Sequence, residues 1–221
     1  MKIPTLLQRA LVACALATSL GVAMPVEAGV LIGTGYAKGS QSFGLSIGGS
    51  PGAGGFVGTW DGDPIQFWCA ELTQNFSFNH SYTYTLSIPN NATFTLLGRL
   101  FHEAYGVALS DTTHSAAFQL AIWEILYDGD LDLGAGGFKV TNANGHAATV
   151  ALAQTWLNNL GNFSDNYDIA LLHNEDRQDF ITDNPPRRDA PEPASAALVG
   201  AGLLAMIVGW RRRTRKTPLA S

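Results

Sequence analysis

Apolar and polar residues alternate along much of the first half of the chain, a period typical of strands with one buried face. Residues 43–47 carry Phe, Leu and Ile at alternate positions, and the alternation is strict from Tyr82 to Ile88. Two further strands are predicted at 55–60 and 65–72, separated by the turn residues 61–64. The pattern therefore predicts a sheet of antiparallel strands in this half.

The period changes to that of a helix after the break at residues 89–91. Apolar residues recur at helical spacing from Phe94 to Tyr105, and Gly106 is expected to end this helix. A second helix is predicted from a cap at Ser110 or Asp111 to Tyr127. A third is predicted over 147–160, with Gly161 as its stop, followed by a late strand at 167–172. We predict a single small α+β domain of antiparallel strands with about three helices.

The second helix places one polar side chain where an apolar one is expected. Its apolar residues fall on one broad arc, Glu124 lies off that arc, and Gln119 lies near its middle. An unpaired buried amide costs roughly 1–3 kcal/mol. Gln119 must therefore have a specific partner.

The N-terminus has the features of a secretory signal peptide over residues 1–28. Lys2 and Arg9 precede a largely apolar stretch, and small residues near Ala28 provide a cleavage point. An uncleaved signal anchor is the alternative. Cleavage would remove Cys14 and leave Cys69 as the one cysteine of the exported chain. A single thiol cannot form an internal disulfide, so it is buried, paired with another chain or chemically modified.

The C-terminus predicts a membrane helix. Residues 194–210 are seventeen uncharged residues, near the lower limit for crossing a bilayer, and the arginine cluster that follows would stay cytoplasmic. A core helix is the alternative, but this segment has no polar face. The order Pro191-Glu192-Pro193, apolar segment, Arg211-Arg212-Arg213 resembles the PEP-CTERM sorting signal of Gram-negative bacteria that make exopolysaccharides. The resemblance implies recognition by an exosortase, a membrane protease-transpeptidase, at a signal spanning 191–216, with residues 183–190 as linker.

Charge limits the choice of partners. Residues 29–190 contain six Lys or Arg against sixteen Asp or Glu, a net charge of −10. A chain this acidic is unsuited to a phosphate backbone, so nucleic acid is excluded as the partner.

Cys69 and Gln119 together allow one specific reaction. A thiolate can attack a glutamine carboxamide, expel ammonia and leave an internal thioester, provided that the groups are in contact and water is kept away. The middle of the chain resembles the thioester domains of bacterial surface adhesins, in which a cysteine follows an aromatic or large apolar residue, here Trp68. Their glutamine lies in an apolar-Gln-x-Ala-hydrophobic-Trp block, matched by residues 118–123. The resemblance implies a Cys69–Gln119 thioester that acylates a lysine amine or a sugar hydroxyl.

Other candidate sites are weaker. Residues 128–134 resemble a calcium loop, but an EF-hand requires glycine at 133 and a bidentate Glu at 139, where Lys139 stands. A solvated acidic loop is the preferred interpretation, and the histidines lack zinc-ligand spacing, so no metal or cofactor is predicted. A Cys-His hydrolase using Cys69 with His102 or His114 remains an alternative without a supporting nucleophile motif.

The prediction is an exported, exosortase-sorted surface or matrix protein, not an enzyme, with its domain at residues 29–182. It would attach covalently to an extracellular polysaccharide or a surface-protein amine. The alternative is a non-covalent structural or carbohydrate-binding matrix module in which Cys69 and Gln119 are core residues.

Overall fold

The computed structural model describes residues 27–164, 167 and 169–183. Within them, six antiparallel strands close into a barrel in the order β1, β5, β6, β10, β9, β7. Four shorter strands pair outside the barrel, β2 with β4 and β3 with β8. The strands are β1 Glu27–Tyr36, β2 Gln41–Ser42, β3 Gly44–Leu45, β4 Gly52–Ala53, β5 Phe56–Trp60, β6 Asp63–Cys69, β7 Ser81–Ser87, β8 Val140–Asn142, β9 Ile169–Asn174 and β10 Arg177–Asp183.

The described residues contain three α-helices, α1 (Ala92–Ala108), α2 (Thr112–Tyr127) and α3 (Ala147–Asn159), and a 3₁₀ turn at Leu160–Asn162. Side chains cap the first two. The Asn91 carboxamide accepts from the N–H of Phe94 at 3.1 Å, and the Asp111 carboxylate accepts from the N–H of His114 at 2.9 Å. Each cap satisfies one of the amides that a helix start leaves without a partner.

Helix α2 is the centre of the molecule. It packs between α1 and α3 and against strands β2, β4 and β6. Every residue from Ser115 to Ile125 is buried, so the helix is enclosed on all sides and not along one arc as its periodicity predicted. Glu124, which lies off the apolar arc, is buried with the rest.

Aromatic rings fill the barrel. Phe56, Phe67 and Phe180 contact one another at centroid distances of 4.9–5.9 Å. Trp68 points to the other side of β6, against Phe101 of α1 and Phe118 of α2. The period of two in β6 thus divides its side chains between the barrel interior and the layer of helices.

The α+β class, the antiparallel strands and the three helices are as predicted, but several details differ. Helix α1 continues through Gly106 to Ala108, because one glycine inside a packed helix costs only about 1 kcal/mol. The predicted strand at 43–47 is reduced to the two residues of β3, and Ile47 is exposed. The late strand begins at Ile169 instead of Tyr167, and strands β1, β2, β4, β8 and β10 were not predicted.

The predicted targeting segments lie almost wholly outside the described residues. Strand β1 begins at Glu27, where Glu27 and Ala28 pair with Leu86 and Thr85. A chain cleaved after Ala28 would keep the other eight positions of this strand. The signal peptide before Glu27, the linker from residue 184 and the predicted membrane helix 194–210 are not described. Within the described part of the chain, no helix combines the length and apolar character that a bilayer crossing requires.

Candidate functional site

Cys69 and Gln119 are in direct contact, although they are fifty positions apart in sequence. Cys69 is the last residue of β6, and Gln119 lies in the middle of α2. The Gln119 Oε1 atom accepts from the Cys69 backbone N–H at 3.0 Å, and the Gln119 Nε2 atom donates to the Cys69 carbonyl at 2.8 Å. The carboxamide therefore continues the sheet, bonding to β6 as a neighbouring strand would.

Gln119 belongs to a row of four hydrogen-bonding side chains at intervals of four residues: Ser115, Gln119, Trp123 and Tyr127. Residues at this spacing lie on one face of a helix. The outer members bond the main chain of the barrel side, since Ser115 Oγ accepts from Gly55 N–H at 2.8 Å and Tyr127 Oη accepts from Leu72 N–H at 2.7 Å. This polar row explains why α2 carries polar atoms on an otherwise apolar face.

The Cys69 sulfur has partners of its own. Its S–H donates to the Glu71 carbonyl at 2.9 Å, and Trp123, the third member of the polar row, donates its indole N–H to the sulfur at 3.4 Å. Cys69 is a free cysteine within the described residues. The Gln119 carboxamide therefore bonds the Cys69 backbone, whereas the Cys69 thiol bonds Glu71 and Trp123.

The site is almost completely buried. Gln119 is 0% exposed and Cys69 is 2% exposed. Burial raises the pKa of the Cys69 thiol to about 12, and the hydrogen bond from Trp123 opposes this increase only in part. The thiol is therefore protonated at pH 7. A buried, protonated thiol is a slow nucleophile, but an acyl bond formed here would be protected from water.

A second group of polar side chains lies at the C-terminal end of α2. One oxygen from each of Glu124, Asp128 and Asp130 lies within 4.8 Å of the others. Glu124 is buried, whereas Asp128 and Asp130 are exposed. Glu124 was not predicted as a member of this group, because it precedes the acidic loop in the sequence. The available signal was its spacing of four residues from Asp128, which places both on one helix face.

The predicted sorting residues Pro191, Glu192, Pro193, Arg211, Arg212 and Arg213 lie outside the described residues. Comparison with known proteins bears on them directly. Residues 189–213 match the PEP-CTERM protein-sorting motif. This chain is therefore an exosortase-sorted extracellular protein, exported and processed at the membrane. The match covers the C-terminal tail alone, and neither the curated proteins nor the solved structures include a significant match to the chain.

Proposed function

We propose that the exported domain forms a thioester between Cys69 and Gln119 and uses it to attach covalently to an extracellular partner. The observation that supports this is the contact of the Gln119 carboxamide with the backbone of Cys69 inside the buried core. The reaction requires the two residues to be held together before any bond forms, and the two hydrogen bonds hold the carboxamide of Gln119 against the backbone of Cys69.

The bond changes balance without a co-reactant. Cys69 Sγ attacks the Gln119 carboxamide carbon, the carbon–nitrogen bond breaks, and the nitrogen leaves as ammonia with the thiol proton. The Cys69 backbone N–H bonded to Gln119 Oε1 would stabilise negative charge on that oxygen during the attack. The Trp123 indole N–H would stabilise the thiolate.

Two features slow the reaction. The thiol has a pKa of about 12, and its bond to the Glu71 carbonyl must break before the sulfur can turn to the carboxamide. Neither prevents a reaction that occurs once in the life of the molecule. The same enclosure then protects the thioester until a partner amine or sugar hydroxyl arrives. The nearest route lies along the partly exposed residues Ala70, Glu71 and Leu72 that follow Cys69.

The decisive measurement is the intact mass of the exported protein after processing. A thioester lowers the mass by one ammonia, about 17 Da, and leaves no titratable thiol after unfolding. Methylamine at neutral pH should open the bond, restore one thiol and leave a methylamide on Gln119. Gln154, another glutamine that bonds main-chain groups, is the internal control and should stay unlabelled.

Variants complete the test. Cys69→Ala and Gln119→Ala should each abolish the mass loss and the methylamine adduct. An unmodified mass with one reactive thiol in the unfolded wild-type protein would contradict the thioester.

For the sorting signal, replacing Arg211, Arg212 and Arg213 with Ala should leave unprocessed chain in the membrane. Normal release of the shortened form would argue against a role for the arginine cluster.

A second candidate has support from the polar row. Gln119 already has partners for both polar atoms, as a structural glutamine requires. On this alternative, the domain is a non-covalent matrix module in which Gln119 attaches α2 to the barrel. The mass measurement separates the two candidates.

A further inference from the structure

Three carboxylates converge where helix α2 ends. Glu124 lies in the last turn of the helix, Asp128 is its C-terminal cap, and Asp130 lies in the loop that follows. Their nearest oxygens are all within 4.8 Å of one another. Calcium ligands lie about 2.3–2.6 Å from the ion, so two ligands on opposite sides are up to about 5 Å apart. One calcium ion can therefore contact all three carboxylates.

Glu124 provides the independent observation. Its side chain is 0% exposed, its Oε1 atom accepts from the Leu131 N–H at 3.1 Å, and its Oε2 atom is buried without a hydrogen-bond partner. Burial and the neighbouring Asp130 and Asp128 raise the pKa of Glu124 to about 7. No Lys or Arg within the described part of the chain forms an ion pair with these carboxylates. A buried carboxylate oxygen in this position lacks the positive partner that burial demands.

The position of the carboxylates at the C-terminal end of α2 also favours a bound cation. The C-terminal end of a helix carries partial negative charge, which disfavours carboxylates and favours a cation. Glu124 and Asp128 both lie at that end of α2. Three acidic groups at a negative helix end are consistent with a bound positive ion.

The loop after the helix fixes the direction of two of these groups. Asp128 Oδ2 accepts from the backbone N–H groups of Gly137 and Phe138, the second at 3.1 Å. Asp130 Oδ1 accepts from the N–H of Asp132 at 2.9 Å. Gly136 has φ = +72°, and a Cβ at this position would collide with the carboxylates of Asp128 and Asp130. The backbone thus closes over the carboxylates and limits their movement.

We propose that Glu124, Asp128 and Asp130 bind one calcium ion at the end of helix α2. An all-oxygen set of ligands suits calcium better than zinc or copper, which prefer nitrogen and sulfur. The site differs from the EF-hand that the sequence failed to match, because its buried glutamate precedes the aspartates in the chain. This inference does not depend on the thioester, and the two can fail separately.

The test is calcium titration of the exported, processed protein after treatment with EDTA. Isothermal titration calorimetry should show one calcium ion per chain, with a dissociation constant of about 10⁻⁴–10⁻³ M, the range of extracellular modules. The thermal midpoint should rise with calcium, because a ligand that binds only the folded state stabilises it. Magnesium serves as the competing ion.

Three variants decide the assignment. Glu124→Gln and Asp130→Asn should each weaken calcium binding at least about tenfold. Asp130 is exposed, so Asp130→Asn keeps the test valid if Glu124→Gln does not fold. Asp176→Asn, the same charge change in the exposed β9–β10 turn, should bind as the wild type does. The proposal is overturned if the wild type shows neither heat nor a thermal shift at millimolar calcium, if it binds magnesium alone, or if Asp130→Asn binds calcium normally.

Discussion

Two of the buried polar side chains of helix α2, Gln119 and Glu124, lie five residues apart and have opposite environments. Gln119 has a partner for each polar atom of its carboxamide, both on the backbone of Cys69. Glu124 has one oxygen bonded and one without a partner, beside two further carboxylates. The hydrogen bonds of Gln119 are completed within the chain. The unpaired oxygen of Glu124 requires a partner from outside the chain. The first environment stabilises a fold, and the second suits a ligand.

Replacing the amide of Gln119 with an acid should have the largest effect on stability. In the free-thiol form, Gln119→Glu removes the donor to the Cys69 carbonyl and buries a charge, so we expect the free energy of unfolding to fall by about 3–5 kcal/mol. Gln154→Glu is the matched control, since Gln154 also bonds main-chain groups but is only half-buried. Its loss should be about 1 kcal/mol. Chemical denaturation measures both, and equal losses would show that the enclosure of Gln119 has no special effect.

The pH dependence of stability should show how tightly Cys69 is enclosed. The pKa of its thiol is raised from 9.0 to about 12, so the unfolded chain loses the proton first. The stabilisation is therefore complete below pH 9 and is lost as the pH rises towards 12. Near pH 10.5 the loss should be about 2 kcal/mol.

Denaturant unfolding at several pH values measures this loss, with Cys69→Ala as the reference, because Tyr84 and Tyr105 also have raised pKa values. The difference between wild type and Cys69→Ala should shrink with pH in the free-thiol form. A chain already closed as a thioester has no thiol to ionise, so it should not show this loss of stability with rising pH. A constant difference in protein with a titrated free thiol would contradict the burial argument.

Trp123→Phe tests the connection between the polar row and the sulfur. Phenylalanine keeps one aromatic ring but removes the pyrrole part of the indole, with the N–H that donates to Cys69 Sγ. We expect the lost hydrogen bond and the small cavity to lower the free energy of unfolding by about 1–2 kcal/mol. The thiol should also react more slowly with an alkylating reagent, because the thiolate loses a donor. Faster alkylation would mean that the tryptophan acts mainly as a barrier to solvent.

Glu124→Gln should have the smallest effect, and in the opposite direction. In EDTA at pH 8 it removes one of three mutually repelling carboxylates, so stability should rise by up to about 1 kcal/mol. In calcium the same variant should be less stable than the wild type, because the ion is lost. Thermal unfolding under the two conditions checks the reversal. A loss of stability in EDTA would show that the carboxylate has a favourable partner within the chain.

Local patterns predicted the elements that have one buried face or a side-chain cap. The alternation over 82–88 corresponds to β7, and Asp111 caps α2 as expected. The position of Gln119 on the apolar arc predicted a specific partner, and in the structure Gln119 bonds Cys69. Barrel closure was missed because it depends on pairings between distant strands. The residues of β1 and β10 show no sustained alternation, and their strand conformation depends on neighbours such as β5 and β6.

Glu124 shows the other limit of periodicity. A helical wheel assigns a residue to a face but does not show how many faces are covered. Because α1, α3 and the barrel side enclose α2, a residue opposite the apolar arc is buried as well. The acidic loop was visible in the sequence, but the buried glutamate beside it required the packing of the whole domain.

The order of strands in the barrel has a consequence for secretion. The β9–β10 hairpin is inserted between β6 and β7, with Phe180 opposite Cys69 and Leu172 opposite Leu86. The barrel cannot close until this last hairpin is present, and Asp183 lies only eight positions before Pro191. A chain emerging N-terminus first therefore cannot complete the barrel until the hairpin just before the sorting signal has emerged. Strands β9 and β10 therefore determine when the barrel can fold. They also determine when Cys69, which lies opposite Phe180 of β10, is first shielded from other thiols.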